Sequence, residues 1–516
     1  MARYNEYSYE QEILLAVSLK RQILPGTFEY TLNLLIDDMD LSSFDEHYKN
    51  DEVGASAYDP AILLKVILYA YSKGIISSRN IEQLCQENVI CLALAADSHP
   101  HFTTIADFIS TREKEIAGLF KKVLTVCYTE NLIDKNMFAI DGCKISSNCS
   151  KEWSGTKSEL KAKAEKIEKS IEGLLKKHKE MDAQEKESDE VKKEEKSIEK
   201  LKAKANKINS WLEENEDRLG STGLPVKSNI TDNESAKMAT SHGVIQGYNG
   251  IAAVDSKHQT IVWAGVYGDS NESKHLPEIL EGIKANCQET SMSANIFKGT
   301  KITADTGYHS ENNMKILFEN HIDAFIPDNQ FRKRDIRFNE VGKYKKKIAD
   351  WQPTRGKKYF DAKDFFYDEG RQTLICPAGK SLWLKTRNFK SQDGRYHGQS
   401  YMGHIADCIG CELRQRCLRK EGTKARQVTI FNEEMGSLGV NFTTLMKKRI
   451  DTDYGRSEYS KRMGTVEPVF GHIAGTKRLN RFTLRGKRKV NTQWLMYCMV
   501  HNVGKVQKYG SSGTYQ

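Results

Sequence analysis

Three acidic residues stand where their carboxylates could perform chemistry. Asp141 comes directly after the apolar run 137–140, and Asp305 follows the strand-like stretch 302–304. Glu467 lies in an apolar stretch of a predicted helix, and acids are rarely placed among apolar residues by chance. If the three carboxylates converge, they could hold Mg²⁺ or Mn²⁺, which prefer oxygen ligands.

Each acid also has an ordinary structural explanation. Asp141 and Asp305 could simply form turns at the ends of their strands, because Asp and Gly are common turn residues. Glu467 could instead pair with Arg462 or His472. Two further acids follow predicted strands, and we expect hairpin-turn roles for both: Asp255 and Asp269.

Four of the eleven cysteines lie in the segments CPAG and CIGCELRQRC: Cys376, Cys408, Cys411 and Cys417. Four thiolates suit a closed tetrahedral zinc site with a structural role, since no ligand position stays open for water. The alternatives are four reduced cysteines without metal, or a site in which His404 replaces one thiolate. The other cysteines are scattered, and we expect most to be small buried apolar residues.

Seven basic residues and no acid occupy residues 477–489: Lys477, Arg478, Arg481, Arg485, Lys487, Arg488 and Lys489. A cluster of one sign favours phosphate binding, whereas a solvated helix face normally mixes both signs. The formal net charge of +9 agrees with a polyanionic partner but does not require one.

The acids fall within an alternation of strands and helices. A strand ends at Asp141, residues 247–256 and 260–269 form a predicted hairpin, and a helix, the strand with Asp305, a helix and a last strand follow. This order predicts an α/β fold with a mixed sheet flanked by helices. Residues 10–130 have helical periodicity, and either a helix-turn-helix or a plain helical bundle would explain it.

Residues 151–220 are rich in Lys and Glu, with apolar residues at seven-residue intervals on both sides of a polar break. The two sets are Leu160, Ile167, Leu174 and Met181, then Val191, Ile198, Ala205 and Leu212. This pattern predicts an antiparallel coiled-coil hairpin. The alternative is a disordered charged linker.

Several motifs resemble the DDE transposases of bacterial insertion sequences. They are DGCKISSN around Asp141, TADTGYHSENN around Asp305 and YSKRMGTVEPVFG around Glu467. The N-terminal YDPAILLKVILYAYSKGIISSRNIEQLC and the C-terminal FTLRGKRKVNTQWLMYCMVHN resemble the same family. The resemblance implies an RNase H-like core that cuts and joins DNA with two divalent ions, Mg²⁺ or Mn²⁺, held by the three acids.

Tyr459, Arg462 and Glu467 match in order the tyrosine-arginine-glutamate-lysine signature of one large branch of this family. The resemblance implies DNA contacts for the signature's basic and aromatic residues. The lysine expected seven positions after the glutamate is Ala474 here, and Lys477 lies about one turn further on as a possible substitute.

With the resemblance, the chain divides into five predicted parts. They are a helical, DNA-binding N-terminal domain (1–130), the first part of the catalytic core (131–150 and 221–329), the coiled-coil hairpin insert (151–220), the four-cysteine insert (330–455) and C-terminal helices that complete the core (456–516). The sequence has no run of about 18 apolar residues and no signal peptide. We therefore expect a cytoplasmic protein without membrane contact.

The main functional hypothesis is a transposase that binds the ends of its element as a homodimer, cleaves double-stranded DNA and joins it to a target. The alternatives are a nuclease on the same core without strand transfer, and a non-catalytic DNA-binding protein derived from a transposase.

Overall fold

A computed structural model describes residues 18–48, 56–182, 189–220, 223–240, 243–269, 271–335, 359–360, 362–368, 371, 373–390, 397–420, 422–431, 442–511 and 513. The chain separates into two compact units, Met1–Phe331 with Phe442–Gln516, and Arg332–Asn441. Within the described ranges, no helix is both long enough and apolar enough to cross a membrane. The five-part domain division stays a prediction.

Within residues 18–48 and 56–129 the first unit has six α-helices: α1 (Phe28–Asp37), α2 (Pro60–Ser72), α3 (Ser78–Glu87), α4 (Val89–Leu94), α5 (Phe102–Thr111) and α6 (Glu113–Thr129). Asp59 caps α2 by accepting the Ala61 N–H at 2.7 Å, and Pro60 occupies the first turn. Residues 63–71 of α2 are all buried. Burial on every side is typical of the central helix of a bundle.

A six-stranded sheet carries the first two acids: β1 (Met137–Ser146), β2 (Ala236–Thr240), β3 (Gly243–Asp255), β4 (Ile261–Tyr267), β5 (Lys301–Ala304) and β6 (Ala324–Phe325). Strand β3 pairs antiparallel with β1 on one side and with β2 and β4 on the other. Strands β5 and β6 extend the sheet beyond β1 in parallel. The predicted mixed sheet with flanking helices is confirmed.

Two long helices, α7 (Lys157–Asp182) and α8 (Asp189–Glu214), pack against each other in the region predicted as a hairpin. Their contact buries Leu160 and Ile208, and Asn209 donates a hydrogen bond to Glu168 at 3.1 Å. The side chains of 177–194, including Met181 and Val191, lie outside the described residues. Coiled-coil packing stays a prediction.

Helices α9 (Leu276–Glu289) and α10 (Glu311–Glu319) connect β4 to β5 and β5 to β6, and a single turn follows at Phe331–Arg334. The second unit contains an antiparallel sheet of β7 (Phe366–Asp368), β8 (Thr373–Ile375), β9 (Ser381–Lys390), β10 (His397–Gly403) and β11 (Gln427–Phe431). Short helices at Ile405–Ile409 and Arg414–Cys417 lie between its last two strands.

Three C-terminal helices return to the first unit: α11 (Phe442–Ile450), α12 (Asp453–Gly471) and α13 (Lys487–Tyr509). Helix α12 runs into a π-helical turn at His472–Thr476. Helix α13 lies between the sheet and the N-terminal helices, where the Tyr71 and Tyr497 rings stack at 4.8 Å. The Trp494 indole N–H donates to the Ile251 carbonyl of β3 at 3.1 Å, so the C-terminal helix is fastened to the middle of the sheet.

Asn502 of α13 satisfies the backbone of the edge strand β4. Its Oδ1 accepts the Ile261 N–H and its Nδ2 donates to the Ile261 carbonyl, both at 2.9 Å. Farther along the same strand, Asn491 Oδ1 accepts the Val266 N–H at 3.1 Å. Unpaired edge groups are a hazard for aggregation, and here side-chain amides cover them.

We expect Asn502→Ala to destabilise the protein, because it leaves buried backbone groups of Ile261 without their amide partner. The cost is about 1–3 kcal/mol for each group left unsatisfied. Urea unfolding followed by tryptophan fluorescence measures it, with the exposed Asn480→Ala as the control. Equal unfolding midpoints for the two variants would contradict the assigned role.

Candidate active site

The register of β1 and β5 places the first two predicted acids side by side. These strands are parallel, and Ile140 pairs with Ala304 at the end of the ladder. Asp141 directly follows Ile140, and Asp305 directly follows Ala304. Because adjacent strands lie about 4.8 Å apart, the two carboxylates are neighbours at the point where β5 ends. Strand β1 continues past Asp141 to Ser146, so the prediction that this strand ends at Asp141 is wrong.

Arg462 of α12 contacts both aspartates. Its Nη1 lies 2.7 Å from Asp141 Oδ2, and its Nη2 lies 3.6 Å from Asp305 Oδ1. The Arg462 side chain is 9% exposed, compared with 20% for Asp141 and 42% for Asp305. A buried guanidinium therefore joins two carboxylates that face an opening to solvent.

Glu272 is a third carboxylate at the same opening. It begins the 3₁₀ turn Glu272–His275 that follows β4, and its Oε1 accepts a hydrogen bond from Asn249 Nδ2 at 2.9 Å. Asp141, Asp305 and Glu272 line one open cleft with a volume of ≈ 720 Å³. We call this opening the acidic cleft.

Burial and neighbouring charges both shift the pKa values of the ionisable groups in the acidic cleft. Burial raises the pKa of Asp141, and the Arg462 charge works against that increase. Burial also raises the pKa of Glu272, opposed by the Asn249 hydrogen bond and reinforced by the charges of the two aspartates. Burial lowers the pKa of Arg462, but Asp141, Tyr459 and Asp305 together more than offset this effect, so the pKa lies above its usual value and the guanidinium stays charged.

The structure does not bring Glu467 into the acidic cleft. Glu467 follows Arg462 by five residues on α12, which turns it about 140° around the helix from the face that meets Asp141. It is exposed and does not line the cleft. Its place in the acid set stays a prediction, and it would require α12 to rotate or shift.

Of the two competing acids, Asp255 ends β3 at the hairpin to β4, whereas Asp269 follows β4 and precedes the 3₁₀ turn Glu272–His275 instead of lying in a hairpin. Asp255 accepts the N–H groups of Lys257 and Lys135 at 2.9 and 3.1 Å. Burial raises its pKa to about 7. Asp269 forms ion pairs with His275 at 3.0 Å and Lys274 at 2.9 Å.

The basic run 477–489 reaches the far end of β1. Arg481 Nε donates to the Ser147 carbonyl at 3.1 Å, and Arg485 Nε donates to the Asn148 carbonyl at 2.8 Å. Both arginines are exposed. Asp141 and Ser146 are five residues apart on this strand, about 17 Å at strand spacing. Ser146 also lines the acidic cleft, so the basic run meets β1 next to a residue of that cleft.

The other predicted DNA contacts differ in accessibility. Arg478, Lys487, Arg488 and Lys489 are exposed. Tyr459 is half-buried with its ring edge against Phe331 at 5.3 Å.

Lys477 is buried, with its ammonium 5.6 Å from the centre of the Phe28 ring, and burial together with Lys73 lowers its pKa to about 8. Arg462 is likewise buried and paired with acids. As placed, Lys477 and Arg462 cannot reach a phosphate, which argues against the predicted DNA contacts of both.

The four late cysteines surround one small cavity of ≈ 40 Å³ in the second unit. Lys380 donates its backbone N–H to Cys376 Sγ at 3.3 Å. A Cβ on Gly403 would lie 3.1 Å from Cys408 Sγ, so glycine leaves room for the sulfur there. Burial raises the pKa of Cys417, opposed by Arg426 and reinforced by the three other cysteines.

Neither the carboxylates of the acidic cleft nor the four cysteines around the cavity are arranged as a complete metal site. In the part of the chain that the structure describes, no three His, Cys, Asp or Glu side chains are arranged so that they could hold a metal ion. In the acidic cleft the donor chemistry suits a hard divalent cation, but the Arg462 guanidinium contacts both aspartates. Around the cavity, four sulfurs suit zinc in type and number.

Fold and site together describe a mixed α/β protein with neighbouring aspartates on two parallel strands of its sheet, and two family models agree with a transposase. Residues 375–507 match the transposase DDE domain, and residues 17–111 match a transposase domain designated DUF772. No curated protein shows significant similarity to the chain. The matches support an insertion-sequence transposase, and the DDE match includes Glu467 but neither aspartate.

Sequence reasoning missed Glu272 and Asn249. Glu272 reads in the sequence as an ordinary acid near the start of a helix, and Asn249 as one residue of a predicted strand. An available signal was the position of Asn249 within an apolar strand, where a polar side chain needs a partner.

We expect Arg462→Ala to destabilise the protein by about 3–5 kcal/mol, because it leaves desolvated carboxylates without their guanidinium. Combining it with Asp141→Ala should cost about 0.5–3 kcal/mol less than the two single changes together. Chemical unfolding of the four proteins of this cycle measures the coupling. Arg456→Ala is the control. Arg456 lies on the same helix as Arg462, but its ion pair is with Asp451, at 3.9 Å, and not with an acid of the cleft. Additive losses would show that Arg462 and Asp141 do not interact.

Proposed function

We propose that the protein is a DNA transposase that binds the ends of an insertion sequence, cleaves DNA and transfers the cut strand to a target. The observation that carries this proposal is that Asp141 and Asp305 are neighbours on parallel strands and line one open cleft. The two transposase family matches support the same reading. Strands β1, β3 and β4 pair antiparallel, the short β2 pairs with the start of β3, and β5 and β6 follow in parallel; this order supports an RNase H-like core.

The carboxylates of Asp141 and Asp305 would hold the divalent cations, Mg²⁺ or Mn²⁺, with Glu467 as the family's third acid. When bound, two such ions activate a nucleophilic oxygen and stabilise charge on the attacking and leaving oxygens of a phosphodiester. Arg462 places one positive charge between the two aspartates, and its guanidinium must withdraw when they take up cations. Half-exposed Asp305 faces the side from which DNA would approach.

The exposed basic run supplies a path for the DNA backbone. Arg481 and Arg485 lie at the end of β1. Asp141, earlier on the same strand, lines the cleft, and so does Lys144, which lies between Asp141 and that end. Phosphate contacts of this kind fix position and carry no sequence information. We assign end recognition to the N-terminal helices, and assembly as a homodimer to the α7–α8 hairpin.

A nuclease without strand transfer is the first alternative, since the same acids would cut DNA. A non-catalytic DNA-binding protein derived from a transposase is the second. The paired aspartates favour an enzyme over the binding protein, because burying like charges has a free-energy cost that binding alone does not require.

The decisive experiment incubates the full-length protein with DNA carrying the element's ends, a target plasmid and Mg²⁺. We expect cleaved and joined products, and a fall of at least roughly 10²-fold in both for Asp141→Asn and Asp305→Asn. Asp453→Asn is the control, because Asp453 is exposed at the start of α12. Circular dichroism checks that each variant is folded.

The outcomes separate the three candidates. Cleavage without joined strands would favour the nuclease. Unchanged cleavage in both aspartate variants would overturn the assigned site. DNA binding without any cleavage by the wild-type protein would favour the non-catalytic reading.

We also propose that Cys376, Cys408, Cys411 and Cys417 hold a structural zinc ion that fastens the second unit. Their shared cavity, the N–H···S bond to Cys376 and the glycine beside Cys408 support this proposal. His404 also lines the cavity and is the alternative ligand.

Protein purified without chelators should contain about one zinc per chain, and the double variant Cys408→Ser/Cys411→Ser should contain almost none. Elemental analysis by mass spectrometry measures the content. Cys149→Ser, in the first unit, is the control and should keep its zinc. A folded wild-type protein free of zinc would contradict the assignment.

A further inference from the structure

The start of α13 has no cap of its own. The helix begins at Lys487, and Gly486 before it has no side chain that could accept the free N–H groups of the first turn. Gly486 has a positive φ of 83°, a conformation that favours glycine. Exposed Arg485 and Lys487 lie on either side of it, so the backbone conformation at Gly486 sets the direction of two basic side chains of the run.

Two acids from one distant loop supply the missing acceptors. Asp232 Oδ1 accepts the Gly486 N–H at 3.2 Å, and Glu234 Oε2 accepts the Lys487 N–H at 2.8 Å. Both acids belong to residues 229–235, which we call the anchoring loop. Carboxylates are favourable at a helix N-terminus, where the backbone dipoles leave positive charge. The anchoring loop therefore fixes the backbone that carries Arg485 and Lys487.

Asp232 is itself held in place from several sides. Its Oδ1 also accepts the hydroxyl of Tyr248 on β3 at 2.6 Å. Its carbonyl accepts the N–H and the hydroxyl of Ser235 at 3.2 and 2.7 Å, and its own N–H donates to Asn229 Oδ1 at 3.2 Å. Asp232 is 4% exposed and Tyr248 is 0% exposed. These contacts fix the Asp232 carboxylate relative to the sheet.

The same tyrosine also contacts the basic run directly. The Tyr248 and Phe482 rings meet edge to face, with their centroids 6.3 Å apart. Phe482 is buried, and its N–H donates to the Ser146 carbonyl of β1 at 2.8 Å. The run is therefore attached to the sheet at Phe482 and, through Asp232, at Gly486.

A carboxylate so close to a phosphate-binding segment has unfavourable effects. Burial raises the pKa of Asp232, opposed by the Tyr248 hydrogen bond, and within the described ranges its Oδ2 finds no partner. The negative charges of Asp232 and exposed Glu234 also act against the approach of DNA phosphates. An ionised oxygen, however, forms hydrogen bonds roughly twice as strong as those of a neutral acceptor. Asp232 thus favours a fixed orientation of the run over a higher local positive charge.

We propose that Asp232 is a positioning residue for DNA binding, which holds Gly486 so that Arg485 and Lys487 present their charges to the DNA backbone. The inference rests on the proposed function, because it concerns how the basic run contacts DNA. Loss of the Asp232 carboxylate should release this part of the run from the sheet. The rest of α13 should stay packed, since Trp494 and Asn502 bond to β3 and β4.

The salt dependence of DNA binding tests the inference. The slope of log Kobs against log salt concentration loses about 0.9 in magnitude for each phosphate contact removed. The full-length protein is titrated into a short fluorescein-labelled duplex without element ends, at about 50 to 200 mM salt, and anisotropy reports binding. We expect Asp232→Ala to reduce the slope by about 1–2, as the double variant Arg485→Ala/Lys487→Ala should by removing the charges themselves.

Asn502→Ala is the matched control, because it also removes buried hydrogen bonds of α13, about 22 Å along the helix from Lys487. A smaller folded fraction lowers the affinity equally at every salt concentration, so this variant should keep the wild-type slope. Asp232→Asn retains the side-chain volume and one acceptor oxygen, and its slope should lie between those of the wild type and Asp232→Ala.

If Asp232→Ala does not fold, Gly486→Ala tests the same claim with Asp232 intact. Alanine is strained at the positive φ, and its Cβ would lie 3.2 Å from Glu234 Oε2, so the turn must shift. We expect this variant to reduce the slope as well, and a wild-type slope here would contradict the inference.

A wild-type slope in folded Asp232→Ala, with a reduced slope in the double arginine–lysine variant, would overturn the inference and leave the proposed function standing. An unchanged slope in the double variant would also overturn it, because the run would then not bind phosphates. So would a reduced slope in Asn502→Ala, since any weakening of α13 would then produce the effect. The proposed function fails separately, if the wild-type protein binds DNA but neither cuts nor joins it.

Discussion

The structure depends on the repulsion among carboxylates that share one partly desolvated cleft. Burial raises the pKa of Asp141 and of Glu272, the charge of Asp305 adds to the increase at Asp141, and the charges of both aspartates add to the increase at Glu272. Such a group is stable only with positive charge beside it. Arg462 supplies that charge, and a divalent cation would supply it more strongly.

Much of the fold serves to bring these side chains together. Arg462 and Asp141 are 321 positions apart in the chain, so their contact requires the C-terminal helices to return to the sheet. Helix α13 secures that return, since Trp494 and Asn502 bond to the backbones of β3 and β4. The cleft is formed by β1, β5, the turn after β4 and α12. Its geometry therefore depends on the correct packing of the whole first unit.

The sequence predicted what local patterns determine. The period of the apolar residues located the strands that carry Asp141 and Asp305, and the strand–helix alternation indicated a mixed sheet flanked by helices. That β1 and β5 are parallel neighbours, which places Asp141 beside Asp305, is known only from the structure. It could not give the rotation of α12, because Tyr459, Arg462 and Glu467 are all compatible with one helix. Which of them meets the sheet depends on the buried face around Val466 and Val469. Glu272 escaped prediction because its approach depends on Asn249, which is distant in the chain.

The central claim is that Asp141 and Asp305 form a divalent-cation site, and anomalous diffraction from crystals soaked in Mn²⁺ tests it most directly. The account predicts an anomalous peak about 2.0–2.2 Å from carboxylate oxygens of both aspartates, with the Arg462 guanidinium withdrawn. A peak elsewhere, or none while Arg462 still contacts both aspartates at saturating Mn²⁺, would contradict it.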